Sequence, residues 1–556
     1  MTSRRVRIVF VTLAAASVLL VSGAAQTSPD RDLVETTVAH LHRLYAARTY
    51  TVTQVVRWHL ARIAKYNGVY RAIEHVDEPG ALRTAARLDA DARAGRGAIA
   101  RLPLWGVPIV IKANTSIEGL VTSDGWKGYK IPGHELVAPA DATIVRKLRA
   151  AGAVILGQTN MPDFAASDTN RSSAFGRTGN AYDVRFSPGG SSGGTVTAVT
   201  ANLAMLGTGT DTGNSIRMPS ATSAVVGVFP TRGLVSIAGI APLDWLLDNT
   251  GPIARTVTDA AIALGVMAGP DPLDPRTADA PANAQPGPYA RYLKPDALRG
   301  KRFGVPAFIL HGAAPTFQGA APAASPERKR AANIPLQRDT RDAFMKAIEG
   351  MRSAGATVVF DESILPDSFT DLIGAVYTRP YVREGTDGFL QRFGPAQYHS
   401  AAEYEKAVGS PLPPVIAGDG TAPVRTLDGD SDADANYHGP RRRALEAYLD
   451  ALDRLRLDGL VYPAAQMPPP DETMEQNGRL STGPHSDTSW VNAIGVPAIV
   501  VPGGFYRLGV PFGLEISARP WRDGDLLGYA YAYERATGHR RPPVLVDKGL
   551  LPVPPR

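Results

Sequence analysis

Three segments of this chain combine basic or nucleophilic side chains with glycine. Pro103–Gly119, PLWGVPIVIKANTSIEG, puts Lys112 at the end of an apolar, β-branched run. An ammonium drawn into low dielectric there loses preference for its charged form and can serve as a base near neutral pH. The same lysine can also run along apolar surface and keep its head in water. Pro188–Gly194, PGGSSGG, flanks Ser191 and Ser192 with Gly189, Gly190, Gly193 and Gly194, and a helical pattern follows to about Ala201. Free N–H groups at such a helix start suit an anion. A phosphate loop is excluded because no Gly-Lys-Ser/Thr follows. In Gly207–Arg217, GTGTDTGNSIR, the run Thr212-Gly213-Asn214-Ser215 can present successive backbone N–H groups. Beside a nucleophilic serine these form an oxyanion hole. Taken singly, either glycine-rich loop reads equally as a tight turn with a capping serine.

The elements that must position these residues read as α/β. Val107–Ile111 has the character of a buried strand. Asp141 is placed to cap a helix that turns Ile144 and Leu148 inward and stops at Gly152, and Ala153–Leu156 reads as the next strand. Strand, helix, strand at this spacing predicts a parallel or mixed sheet with helices outside. Upstream, Leu33 to about Ala94 reads as helical. Thr53 caps a helix there that carries Val56, Leu60 and Ile63 on one face and stops at Gly68, while His59 has no chemical role. Pro- and Ala-rich sequence from Pro270 to about Pro335 interrupts the pattern, apart from a strand within Arg302–Leu310. A mainly helical stretch follows from Arg338 to Leu457, with a loop near Pro411–Pro440. The α/β texture resumes at Leu457–Pro463 and Pro497–Ile516, and a Pro-rich tail closes the chain.

Composition narrows the function classes. Of 556 residues, 44% are hydrophobic and 20% charged, an ordinary globular balance. Half of the net charge of +6 comes from Arg4, Arg5 and Arg7, and no basic stripe interleaved with aromatics follows, which argues against a nucleic-acid partner. Those arginines precede an apolar stretch, Ile8–Val21, and small residues, Ser22–Ala25. This is the order of a cleavable export signal over residues 1–25, with the apolar run short of the ~20 residues that span a bilayer. A periplasmic or secreted bacterial protein with no stable membrane span after cleavage is expected. Ser3-Arg4-Arg5 leaves the export route open. The absence of cysteine excludes disulfides, thiol nucleophiles and thiolate metal sites. Asp428, Asp430 and Asp432 imitate the start of a calcium loop, but Ala433 and Gly439 stand where its glycine and glutamate belong. No metal site is expected.

Together the three segments strongly resemble the amidase signature family, from about Leu33 to Asp259 and again from Leu457 to about Thr537. PLWGVPIVIKAN, DATIVRKLRAAGAVILGQTNMPDFA, SPGGSSGG, GTDTGNSIRMPSATSAVVGVFPTRG, GPIARTVTDA and NAIGVPAIVVPGGF carry the resemblance in order. The 24-residue spacing from Ser191 to Ser215 fits as well. The resemblance implies one large α/β domain with a central mixed β-sheet flanked by helices. Its core would comprise residues 26–269 and 457–540, with a variable, mostly helical substrate-shaping insertion over 270–456 and a tail over 541–556. It further implies amide hydrolysis through a seryl acyl-enzyme, with Ser215 as nucleophile, Ser191 as a bridging serine after a cis peptide bond, and Lys112 as base. Thr212, Gly213, Asn214 and Ser215 would supply oxyanion N–H groups, and Asp211, Arg217 and Gly190 would support the loops. A small-molecule amide substrate and no cofactor are implied; a homodimer stays open. Two positions depart from the family pattern. Asn214 stands where glycine is usual, and Ala113 replaces the aspartate that commonly follows the lysine, removing a charge near the base.

Other readings exist. Gly189-Gly190-Ser191-Ser192-Gly193 satisfies the nucleophile elbow of an α/β-hydrolase esterase, with His485 as the tempting base. A non-catalytic amidase-like binding protein is argued against by the intact Lys112, Ser191 and Ser215. The ammonia-generating component of a tRNA amidotransferase shares the motifs, yet an export leader is hard to reconcile with a tRNA partner.

Overall fold

The computed structural model describes residues 29–95, 101–313, 335–418, 424–475 and 481–543. The export signal (1–25) and all but the first three residues of the tail (541–556) lie outside them. The chain divides into two compact units, Met1–Val34 and Glu35–Arg556. In the first, the described structure includes the short helix Pro29–Leu33.

The second unit is built on strands β1 (Ile73–Val76), β2 (Pro108–Lys112), β3 (Val154–Thr159), the paired short strands β4 (Arg171–Ser172) and β5 (Gly176–Arg177), β6 (Leu206–Asp211), β7 (Val226–Phe229), β8 (Asn249–Ala254), β9 (Arg302–Val305), β10 (Thr357–Phe360), β11 (Gly459–Pro463), β12 (Ala498–Phe505) and β13 (Pro511–Ala518). All but β4 and β5 join one mixed sheet in the order β1-β3-β2-β6-β8-β7-β12-β13-β11-β9-β10. The expected α/β class with a central mixed sheet is met. Strands β2, β3 and β6 are buried along their whole length, which suits sequences of apolar and small residues that turn polar only toward their C-terminal ends, at Lys112, Gln158 and Asp211.

Strand β2 pairs in parallel with both β3 and β6. Their C-terminal ends therefore share one edge of the sheet, the edge where α/β folds place their ligands. Lys112 ends β2 and Asp211 ends β6. The helix Gly193–Thr200 runs into β6 from the far side, so its N-terminal loop, with Ser191 and Ser192, returns to that same edge.

Several local expectations need correction. The first long helix, Val52–Tyr70, is capped by Thr51 rather than Thr53. The Thr51 hydroxyl accepts from the Gln54 N–H while the Gln54 side chain accepts from the Thr51 N–H, a reciprocal capping box. The Thr53 N–H is already held by Asp89 at 3.0 Å. The helix runs past Gly68 and ends at Arg71 in a left-handed conformation. Val56, Leu60 and Ile63 do face inward, and His59 is buried with them. Asp141 does not cap the helix Thr143–Ala150. Its carboxylate accepts from the Glu118 N–H at 2.9 Å and pairs with Arg149 at 2.8 Å. Strand β1 interrupts the stretch read as helical before residue 94.

The largest difference lies in 270–456. This segment is helical in the main, but it also supplies β9 and β10, the last two strands of the sheet, joined through the helix Arg338–Ser353. The strand expected within Arg302–Leu310 stops at Val305, and Ala307–His311 is helix. The segment is thus part of the core. Phe308, Phe369, Tyr381 and Tyr448 pack with Phe229 and Trp490 in one buried cluster.

Candidate active site

Lys112 is wholly buried, and its Nζ donates to Ser191 Oγ at 2.7 Å, Thr210 Oγ1 at 2.9 Å, Ser192 Oγ at 3.1 Å and the Thr210 carbonyl at 3.4 Å. Every one of these partners is neutral. Burial is the dominant influence and lowers the lysine pKa to about 7, against the opposing pull of Asp124, Asp211 and Asp248. Asn114, in the turn that follows β2, donates to the same Thr210 hydroxyl at 3.0 Å.

The Gly190–Ser191 peptide bond is cis. A Cβ at Gly190 would collide with the carbonyl oxygens of Ser167 and Thr169, so only glycine fits between this loop and its neighbour. Ser192 links the two serine loops. Its N–H donates to the Ser215 carbonyl at 3.2 Å, and its hydroxyl donates to the Thr210 carbonyl at 3.2 Å. Lys112 and Ser191 are thus in direct contact, and Ser215 joins them through backbone. Among the described residues the Ser215 hydroxyl makes no hydrogen bond to Ser191.

The loop Thr212–Ser215 leaves the end of β6 and turns into the helix Arg217–Ala221. Among the described residues, the four N–H groups of Thr212, Gly213, Asn214 and Ser215 donate to no protein acceptor. Thr212, Asn214 and Ser215 are each less than a tenth exposed. Unpaired N–H groups at a nearly buried turn form a cradle for a negatively charged oxygen.

Asp211 and Arg217 brace this loop. The Asp211 carboxylate accepts from the Ile216 N–H at 2.9 Å and from Arg217 Nε at 3.1 Å. Arg217 Nη2 donates to the Gly213 carbonyl at 2.7 Å and to Asn492 Oδ1 at 2.5 Å. Its Nη1 donates to Glu515 Oε1 at 2.7 Å and to the Thr488 carbonyl at 3.0 Å. On the other side of the loop, the Thr212 hydroxyl donates to Asp248 at 2.5 Å.

Sequence reasoning missed Thr210, Ser192, Asn114, Asp248, Asn492 and Glu515 as parts of this site. Asn114 and Ser192 lay inside the quoted motifs. Thr210 lay inside one too, but only the pairing of β6 beside β2 brings its hydroxyl to Lys112. Asn492 opens another quoted motif, NAIGVPAIVVPGGF, while Asp248 and Glu515 arrive from segments outside them. His485 does not approach Ser191: its ring contacts the Thr482 hydroxyl at 3.1 Å. With lysine, not histidine, on Ser191, the esterase elbow has no base here.

Comparison with known proteins agrees with this architecture. A family model described as Amidase matches residues 54–325. A glutamyl-tRNA(Gln) amidotransferase subunit from Symbiobacterium thermophilum is 32% identical over 540 residues, covering 92% of this chain and 99% of that protein. Its counterpart from Acidothermus cellulolyticus is 43% identical over 275 residues, 49% of this chain and 52% of that one. Among solved structures, the native peptide amidase from Stenotrophomonas maltophilia matches with a TM-score of 0.73 at 30% identity, over 92% of this chain and 98% of that one. The chain belongs to the amidase signature family, whose members act on amide C–N bonds.

Proposed function

We propose that this protein hydrolyses a carboxylic amide through a seryl acyl-enzyme, with Ser215 as nucleophile, Ser191 as proton relay and Lys112 as base. The observation that carries this reading is the 2.7 Å contact from Lys112 Nζ to Ser191 Oγ inside a buried shell of neutral partners. Neutral Lys112 takes the Ser191 proton while Ser191 takes that of Ser215. Ser215 Oγ attacks the amide carbonyl carbon, and the N–H groups of the Thr212–Ser215 loop stabilise the oxyanion. Collapse breaks the C–N bond, and the relayed proton leaves with the amine. Water, deprotonated by the same relay, then attacks the ester carbon, the bond from that carbon to Ser215 Oγ breaks, the relayed proton returns to Ser215 Oγ, and the acid product departs.

The test is covalent. A fluorophosphonate should label Ser215 in the intact protein and liberate one fluoride per chain. Labelling at another serine, or none in a protein that turns over amides, would refute the assignment.

A second reading is ammonia release for a partner enzyme, favoured by the end-to-end similarity to amidotransferase subunits. Steady release of product from simple amides by the isolated chain supports the stand-alone hydrolase. Ammonia release from glutamine that needs a partner would favour the other. The order of charged, apolar and small residues in the leader supports export, which sets the chain apart from a tRNA partner. N-terminal sequencing of protein from a bacterial host should find a start near Ala25 or Gln26 outside the cytoplasm.

A further inference from the structure

Strands β6 and β8 pair in antiparallel register, with Asp211 opposite Asn249. One step beyond that pair, Thr212 opens the oxyanion loop and Asp248 leads into β8, so the two residues meet at the end of the ladder. The Thr212 hydroxyl donates to Asp248 Oδ1 at 2.5 Å. The other carboxylate oxygen, Oδ2, accepts from the N–H groups of Leu243 at 3.1 Å and Asp244 at 3.2 Å. The turn that carries Asp248 is gripped in its own right by the variable segment. Arg276 Nη1 donates to the carbonyls of Trp245 at 2.7 Å and Asp248 at 3.2 Å. The Tyr437 hydroxyl donates to the Leu246 carbonyl at 3.1 Å, and the Thr378 hydroxyl to the Asp244 carboxylate. Asp248 is therefore a fixed anchor for the Thr212 side chain.

What that anchor controls follows from peptide geometry. In a trans peptide the C=O and the N–H of the next residue point opposite ways, so holding the carbonyl aims the N–H. Three of the four cradle N–H groups are aimed in this manner. The Asp211 carbonyl accepts from Asn492 Nδ2 at 2.8 Å, which sets the Thr212 N–H. The Gly213 carbonyl accepts from Arg217 Nη2 at 2.7 Å, which sets the Asn214 N–H. The Asn214 carbonyl accepts from the Met218 N–H at 2.8 Å, which sets the Ser215 N–H. The exception is the Thr212–Gly213 peptide, whose carbonyl accepts no hydrogen bond among the described residues. Packing does not hold it either, since a Cβ at Gly213 would meet nothing nearer than Ser489 Cβ at 3.8 Å.

We propose that Asp248 is a positioning residue for the oxyanion cradle: through the Thr212 hydroxyl it fixes the Thr212–Gly213 peptide and so aims the Gly213 N–H. It acts as a hydrogen-bond acceptor at a set place, not as a charge. This rests on the Thr212–Ser215 loop being the oxyanion site of an acyl-transfer enzyme.

The experiment measures kcat and KM separately on one reactive anilide, with urea unfolding as the check on folding. The proteins are wild type, Thr212→Val, Thr212→Ser, Asp248→Ala and the double variant Thr212→Val/Asp248→Ala. An N–H that is misaimed is lost mainly in the transition state, so Thr212→Val and Asp248→Ala should each lower kcat roughly 10- to 100-fold with KM within about twofold of wild type. The double variant should be no slower than the slower single one, because both changes cut the same tie. Thr212→Ser, which returns the hydroxyl, should recover kcat to within about threefold. A folded Thr212→Val whose kcat stays within about threefold of wild type, a loss carried by KM, or losses that multiply in the double variant would each overturn the proposal. If Asp248→Ala does not fold, the contrast between Thr212→Val and Thr212→Ser decides alone. If Thr212→Val does not fold either, the tie serves stability only and the proposal is overturned. A wild type that turns over the anilide but is not labelled at Ser215 by a fluorophosphonate refutes the acyl-enzyme reading itself, whatever the variants do.

Discussion

Two buried cations in this protein, Lys112 and Arg217, meet opposite surroundings. Lys112 and Arg217 are both fully removed from solvent. Lys112 is surrounded by hydroxyls and a carbonyl, and burial takes its pKa to about 7. Arg217 is surrounded by Asp211 and Glu515. Burial opposes its charge too, but those carboxylates outweigh it and hold the guanidinium above its ordinary range. Equal burial therefore yields a group that can give up its proton in one place and a permanent charge in the other. The partners decide, and the choice of residue agrees: lysine titrates when desolvated, whereas arginine keeps its charge and forks across several acceptors.

The largest effect should come from removing the chemistry on the lysine side. Ser215→Ala and Lys112→Ala should each lower kcat/KM by roughly 10⁴-fold or more, as for nucleophile and base losses in other serine hydrolases. Far-UV circular dichroism should stay native, because a single functional group is lost from a preformed site. Lys112→Arg should not restore the rate, since a guanidinium does not deprotonate in a protein. Recovery of more than a small fraction of the activity by arginine would erase the distinction drawn between the two cations.

On the arginine side the loss should be in stability first. Arg217→Met leaves Asp211 and Glu515 buried without their cation and should cost roughly 3–5 kcal/mol in urea unfolding. It should also lower activity, because the Gly213 carbonyl and the turn that follows lose their brace. A variant as stable as wild type would show that the cage is not what holds the oxyanion loop.

These two cations also mark what the sequence could and could not disclose. The triad candidates were legible because each sits in a local motif: Lys112 at the end of a β-branched run, and both serines among glycines. The strand order was not. β2 and β6 are brought together by parallel pairing across almost 100 residues, and only that pairing makes Thr210 a partner of Lys112. Glu515 and Asn492 reach Arg217 from 298 and 275 residues away, and although Asn492 opens a quoted motif, nothing in that motif or in GLEIS names Arg217 as the partner. β10 was read as helix because TVVF is four residues long, lies at a sheet edge and alternates too briefly to set a period. Asp141 shows the reverse error, a sound capping residue taken instead by Glu118 and Arg149.

The pH profile gives a milder test. If the base is a lysine with a pKa near 7, kcat/KM should fall about tenfold per pH unit below that point and level off above it. The sign follows from the neutral form being the active one. His485→Ala should leave this limb in place, because its ring contacts Thr482 and not Ser191. A limb that vanishes with His485 and survives Lys112→Ala would return the histidine-based reading.

The smallest effect should come from Asn214→Gly, which touches neither cation. Asn214 contributes a backbone N–H to the cradle, and glycine contributes the same one, so the oxyanion contact is kept. The asparagine side chain is 8% exposed and interacts with the carboxyl of Asp168, whose pKa burial raises to about 6 while the amide draws it back down. Removing that amide frees Asp168 and opens space beside the position of the acyl carbonyl. The rate on a small, unhindered amide should therefore change by only a few-fold, while the ranking across acyl groups of increasing bulk should shift toward the larger ones. Relative kcat/KM values along an acyl-length series measure this directly. Unchanged ratios would mean that the Asn214–Asp168 contact only shapes the loop, and that acyl preference is set by other walls of the site.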